Sequence, residues 1–274
     1  NANITSAEDA AAAVLAGAEG CGLMRTEFVF MERRQPPGQE EQRRIYQAVS
    51  DALEGRPMVV RTLDAGGDKP IAYLDQPVEE NPALGIRGIR LCQQSPELLR
   101  TQLQALLQVE RAEPLQVMIP MISAIDEVLQ VRNLLDELKA EVAPSCEVRL
   151  GVMIETPAAA LIADRLAAAV DFFSIGTNDL TQYTLCMDRG EPALASRLDV
   201  LHPAVLALIE QTVKAATGAG IETAICGGAA GDMLAAPVLL GLGVRELSMP
   251  ASLVPRQKAR LRRLSIEQCS GLAA

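Results

Sequence analysis

Two arginines, two carboxylates, an amide and a thiol each follow a short apolar run in this chain. Gly22-Leu23-Met24 leads into Arg25-Thr26-Glu27, and Met58-Val59-Val60 leads into Arg61-Thr62. Val152-Met153-Ile154 runs into Glu155-Thr156-Pro157, and Phe172-Phe173-Ser174-Ile175 into Gly176-Thr177-Asn178-Asp179. Thr223-Ala224-Ile225 ends in Cys226-Gly227-Gly228. An arginine offers phosphate or carboxylate a planar fork of donors and stays charged when partly buried. Glu155 and Asp179 are hard oxygen donors, and two carboxylates with substrate oxygens suit Mg²⁺. The same pair also suits a general acid and base in glycoside hydrolysis. The neighbouring arginines weigh against that, as does a chain with no Trp, three Tyr and four Phe to stack on sugars. Cys226, on an open turn, suits a nucleophile or a proton donor. A nucleophilic thiol usually has a partnering base, and His202 is the single imidazole. It precedes Pro203 at a helix start and reads as a structural or surface residue.

Composition narrows the classes further. The six cysteines, Cys21, Cys92, Cys146, Cys186, Cys226 and Cys269, lie 40 or more residues apart with no CxxC pair. Neither a zinc site nor a disulfide scaffold fits that spacing, and the thiols read as reduced and cytoplasmic. A net charge of −10 argues against nucleic acid or an anionic membrane as partner. It leaves room for a small anionic ligand held by local arginines. No run of about 18 apolar residues predicts membrane insertion. The start, Asn1-Ala2-Asn3-Ile4-Thr5, has no signal-peptide pattern and no Met, so the chain is expected to be part of something longer.

The elements that must carry these residues recur along the chain. Strand-length apolar runs cover 2–4, 22–28, 58–63, 115–121, 149–155, 171–176, 222–226 and 246–249. Most are separated by Ala/Leu-rich segments with helical spacing. Ser6 with Asp9 and Ser123 with Asp126 match capping boxes, while Ser95-Pro96 and Thr156-Pro157 match a hydroxyl cap before Pro. Continuous apolar runs suit strands buried on both faces of a parallel sheet. Eight such strands in a chain of 274 residues predict an α/β fold, a (β/α)₈ barrel, over 1–274 as a single domain. An open doubly wound sheet is the competing architecture. In a barrel the C-terminal strand ends share one mouth, which would gather the six reactive residues. The Gly/Pro-rich stretch 65–88 is expected to cross that mouth. The basic tail 252–274 reads as a final solvated helix.

Several blocks resemble a known family. They are 17–20 with 23–28, 60–64 with 66–69, 80–82 with 85–90, 151–157, 171–189 and 226–232. Together, in order over about 2–256, they are similar to the phosphoenolpyruvate-binding domain of enzyme I of the sugar phosphotransferase system. Pyruvate phosphate dikinase and phosphoenolpyruvate synthase are more distant relatives. The resemblance implies that Arg25, Arg61, Arg87 and Arg189 contact phosphoenolpyruvate, with Asn178 as a further contact and Lys69 nearby. It implies that Glu155 and Asp179 hold Mg²⁺ and that Cys226 protonates the enolate carbon. It further implies phosphoryl transfer to a histidine on a separate N-terminal domain, then to the carrier protein HPr, with release of pyruvate. A homodimer is also implied. His202 does not align with the phospho-acceptor. The family usually has Cys-Gly-Glu where this chain has Cys226-Gly227-Gly228, a change that would suit a catalytically weakened regulatory or scaffolding paralogue.

Overall fold

The computed structural model describes residues 1–31, 33–66, 71, 73–74 and 79–273. Among them, one parallel sheet contains β1 (Ala2–Ile4), β2 (Cys21–Met24), β3 (Met58–Arg61), β4 (Leu115–Ile119), β5 (Val148–Ile154), β6 (Phe172–Ile175), β7 (Glu222–Ile225), β8 (Glu246–Leu247) and β9 (Met249–Pro250). The order is β8-β7-β6-β5-β4-β3-β2-β1-β9. β8 and β9 are two parts of one stretch, interrupted at Ser248. The first part pairs with β7 and the second with β1, so the sheet returns on itself. At the break, Ser248 N–H donates to Ile225 O at 2.8 Å and Met249 N–H to Asn1 O at 3.2 Å. This is the expected (β/α)₈ barrel with a divided eighth strand, and the open sheet is excluded.

Side chains along each strand alternate between two cores. Met24, Val60, Val117, Ile119, Val152, Ile154, Phe173 and Ile175 point outward into the layer under the helices. Leu23, Val59, Met118, Met153, Phe172 and Cys226 form a separate cluster inside the barrel. Two residues beyond Leu23, Val59 and Met153, the same alternation brings Arg25, Arg61 and Glu155 inward at the top.

Strand pairing stops earlier than the apolar runs do. β2 ends at Met24, and Glu27–Phe30 is a helical turn where strand was expected. β3 ends at Arg61 and β4 at Ile119; Thr62 N–H still donates to Met118 O at 2.9 Å, and beyond it the apolar residues are buried in loops. The caps follow suit in part. Ser6 Oγ accepts Asp9 N–H at 3.2 Å and Thr156 Oγ1 accepts Ala159 N–H at 3.0 Å. Helix Ile125–Val142 is capped differently from expectation: Glu127, not Asp126, accepts the amides of Ser123 and Ala124, at 2.6 and 2.9 Å. Ser95 makes no side-chain cap before helix Pro96–Leu107. The tail is also corrected. It forms two helices, Val254–Leu261 and Ile266–Ala273, and buried Cys269 on the second packs closely against Gly241.

Candidate active site

A cavity of about 470 Å³ opens at the C-terminal ends of the strands. Arg25, Arg61, Arg87, Glu155, Asn178, Asp179, Arg189 and Cys226 all line it. Lys69 lies outside the described residues. The structure therefore brings together every expected site residue that it describes.

On one side, charged groups of alternating sign form a chain. Glu27 accepts from Arg61, whose Nη1 lies 2.9 Å from Asp64 Oδ2. Arg87 grips the same Asp64 with two bonds, Nε to Oδ1 at 3.1 Å and Nη2 to Oδ2 at 2.8 Å. Arg87 Nη1 reaches on to Asp179 Oδ1 at 3.3 Å, and Arg189 Nη1 closes on that oxygen at 3.6 Å. Glu27, Arg61, Asp64, Arg87 and Asp179 are all buried. Such burial is tolerable because each charge is paired and hydrogen-bonded. Burial opposes charge on Arg61 and Arg87, but the surrounding carboxylates outweigh it and hold both above the usual guanidinium range.

Glu155 stands beside this chain. Burial first, then the carboxylates of Asp179 and Asp64, push its carboxyl up to about 8. Its Oε1 accepts the Met121 N–H at 2.7 Å, and Met121 holds a φ of +59° to offer it. That conformation is rare for a bulky side chain and marks a position fixed by its surroundings. A buried carboxyl next to other carboxylates favours added positive charge. With Asp179 it supplies the hard oxygens a divalent cation prefers, so these residues fit Mg²⁺.

Arg25 enters from the end of β2, and its Nε is buried with no hydrogen-bond partner among the described residues. The Arg25 side chain lines the cavity, where a guanidinium offers an anion from outside the chain a fork of donors. Part of the 65–88 stretch expected over the mouth lies outside the described residues. Tyr183 donates to Ala83 O, and at the end of the stretch Arg87 lines the cavity. Gly88 next to it has φ +57°, and a Cβ there would meet Met121 Cβ at 2.9 Å. Glycine is therefore required where the two loops cross.

The stretch of the mouth around Cys226 is neutral. Cys226 Sγ lies 3.7 Å from Ile175 O. Burial pushes the thiol up to about 12, only partly offset by the nearby Ser174 hydroxyl. It is a neutral S–H, suited to giving a proton rather than attacking as thiolate. Asn3 Nδ2 donates to Cys226 O at 3.0 Å, while Asn3 Oδ1 accepts from Ser248 Oγ at 2.7 Å. Gly227 lies so close to Thr177 that an added Cβ would be 2.0 Å from its Oγ1. Gly228 N–H donates to Asn178 Oδ1 at 2.9 Å, leaving Asn178 Nδ2 as the donating end of that amide.

The residue reading missed Glu27, Asp64, Asn3 and Ser248 as parts of the site. For Asn3 and Ser248 a signal existed: both alternate with outward apolar neighbours, so both face the barrel interior. His202 lies apart from the cavity lining, as expected. Exposed, it caps helix Pro203–Ala219, accepting Ala204 N–H at Nδ1 over 3.2 Å.

Fold and site thus define a (β/α)₈ barrel whose mouth suits an anion and a divalent cation. The chain belongs to the family described as PEP-utilising enzyme, PEP-binding domain, whose model matches residues 1–266. It is 52% identical over 272 residues to a multiphosphoryl transfer protein of Rhodobacter capsulatus, covering 99% of this chain and 33% of that one. It is 46% identical over 277 residues to a phosphoenolpyruvate-protein phosphotransferase of Haemophilus influenzae, covering 99% of this chain and 48% of the relative. The chain therefore spans a third to a half of these relatives' length. Among solved structures, an HpcH/HpaI aldolase/citrate lyase family protein from Burkholderia cenocepacia matches with a TM-score of 0.55 at 19% identity. That match covers 96% of this chain and 92% of the other, and it shows the shared barrel fold.

Proposed function

We propose that this barrel binds phosphoenolpyruvate with Mg²⁺ and supports transfer of the phosphoryl group to a histidine on a separate domain, releasing pyruvate. The observation that carries this reading is a single cavity lined by four arginines, a buried chain of charges and a neutral thiol. Arg25, Arg61, Arg87 and Arg189 bind the phosphate and carboxylate, with Asn178 as a further contact and Lys69 assigned by resemblance alone. Glu155 and Asp179 hold the cation. Bound there, it supplies positive charge to the substrate oxygens that gain negative charge during transfer. The arginines do the same from fixed positions, at no cost of reorganisation. As the phosphoryl group leaves, Cys226 gives its Sγ proton to C3 of the enolate, and pyruvate results. Asn3 fixes the backbone that carries the thiol.

The greater length of the relatives supports a histidine-bearing partner domain, and transfer onward to HPr is part of this reading. Homodimerisation and a cytoplasmic place in sugar uptake belong to the same reading. Among the described residues, no helix is long and apolar enough to cross a membrane.

The test needs no partner domain. With pyruvate and Mg²⁺ in D₂O, the barrel should exchange the methyl protons of pyruvate, read by NMR. Exchange no faster than in buffer would contradict the reading. Gly228, in place of an expected acid, favours a second reading, that of a weakened regulatory paralogue. Rapid pyruvate formation from phosphoenolpyruvate after adding a histidine-bearing domain would retire it.

A further inference from the structure

The wall that carries the thiol differs from the rest of the cavity. Next to Cys226 it consists of Gly227 and Gly228, with Pro250 and Ala251 following from the divided eighth strand. None of these side chains carries charge. At Gly228 an added Cβ would come within 3.2 Å of Asn178 Oδ1, a tight contact, so glycine keeps this part of the wall bare. The one carboxylate reaching the cavity from helix Ala7–Leu15 is Asp9, and its Oδ2 is occupied by Thr5, whose amide donates at 2.9 Å.

If the proposed reaction is right, and the inference rests on it, Cys226 faces C3 of an enolate of pyruvate. That enolate has a second chemical origin. A 2-oxo acid with a carboxylate on C3 gives the same enolate when the carboxylate leaves as carbon dioxide. The arginines recognise the 2-oxo acid end whether or not a phosphate is present. A neutral wall favours loss of a charged carboxylate as an uncharged gas, since the charge it withdraws from solvent is the one that moves away.

We propose that this cavity also decarboxylates 2-oxo acids carrying a carboxylate on C3. In this step Cys226 supplies the proton that replaces carbon dioxide, and the bare Gly227-Gly228 turn makes room for the departing group. The C3–C4 bond breaks and carbon dioxide leaves. The freed electron pair becomes the double bond of the enolate as negative charge moves to the C2 oxygen. The Sγ proton then goes to C3, and the thiolate recovers a proton from water. One proton is consumed for each carbon dioxide released, and nothing is oxidised or reduced.

Oxaloacetate is the probe. Pyruvate formation is followed with the protein and Mg²⁺, against Mg²⁺ alone and against Cys226→Ala. The expected result is about a tenfold or greater acceleration over Mg²⁺ alone, lost in Cys226→Ala. In Gly228→Glu, the ratio of decarboxylation to pyruvate methyl exchange should fall about tenfold, and in uncharged Gly228→Gln it should fall much less. A binding readout stands beside the rates. In EDTA and in the cold, calorimetry should show oxaloacetate binding about tenfold weaker to Gly228→Glu than to Gly228→Gln. No acceleration over Mg²⁺ alone overturns the proposal. If methyl exchange persists in that case, the phosphoenolpyruvate reading stands without it, and if exchange is also absent both fall. Equal behaviour of the Glu and Gln variants overturns the role given to the neutral wall.

Discussion

From β2 round to β6, the barrel mouth is lined by buried charges that already hold one another, Arg61, Asp64, Arg87 and Asp179, with Glu27 behind Arg61. From β7 round to β1 it is lined by a neutral thiol, two glycines and Asn3, which bonds buried Ser248, and beyond β1 the carboxylate of Asp9 reaches it. The first half is rigid because no member can move without stranding a buried partner. The second is held by ordinary hydrogen bonds, each worth about 1 kcal/mol. Binding and neutralisation of charge belong to the first half, proton delivery to the second. The two halves should therefore fail differently when altered.

The largest effect is expected from breaking the charged half. Arg61→Met leaves Glu27 and Asp64 facing each other across a gap. It should cost about 3–5 kcal/mol of stability in urea unfolding, together with phosphoenolpyruvate binding. Glu155→Gln sharpens the comparison, because an amide can still accept the Met121 N–H. Its stability should change by about 1 kcal/mol or less. Calorimetry should show most of the Mg²⁺ dependence of phosphoenolpyruvate binding gone. In the neutral half, Cys226→Ala should leave affinity within about threefold yet nearly abolish pyruvate methyl exchange. The smallest effect falls to Asn3→Ala. Freeing Cys226 O from its donor should slow exchange about tenfold with affinity little changed. A matching loss of affinity in either of these two variants would erase the division between the halves.

Much of this was legible in the residues. Apolar runs located every strand of the barrel, and the polar residues ending five of the eight runs marked the mouth. The strand limits were not legible, because residues such as Leu63 and Met121 are as buried in loops as they would be in a sheet. Hydropathy reports burial, whereas pairing depends on the neighbouring strand. The break at Ser248 was hidden for the same reason. The partners of the arginines, Glu27 and Asp64, were hidden because ion pairing between loops depends on a closed barrel. Arg87 was placed by resemblance, since its excursion has no periodicity that would aim it at the mouth.

The measurement closest to the central claim is a calorimetric titration of phosphoenolpyruvate into this chain with and without Mg²⁺. The account predicts saturable binding that strengthens markedly when Mg²⁺ is present. Absence of Mg²⁺-dependent heat at millimolar phosphoenolpyruvate would contradict it.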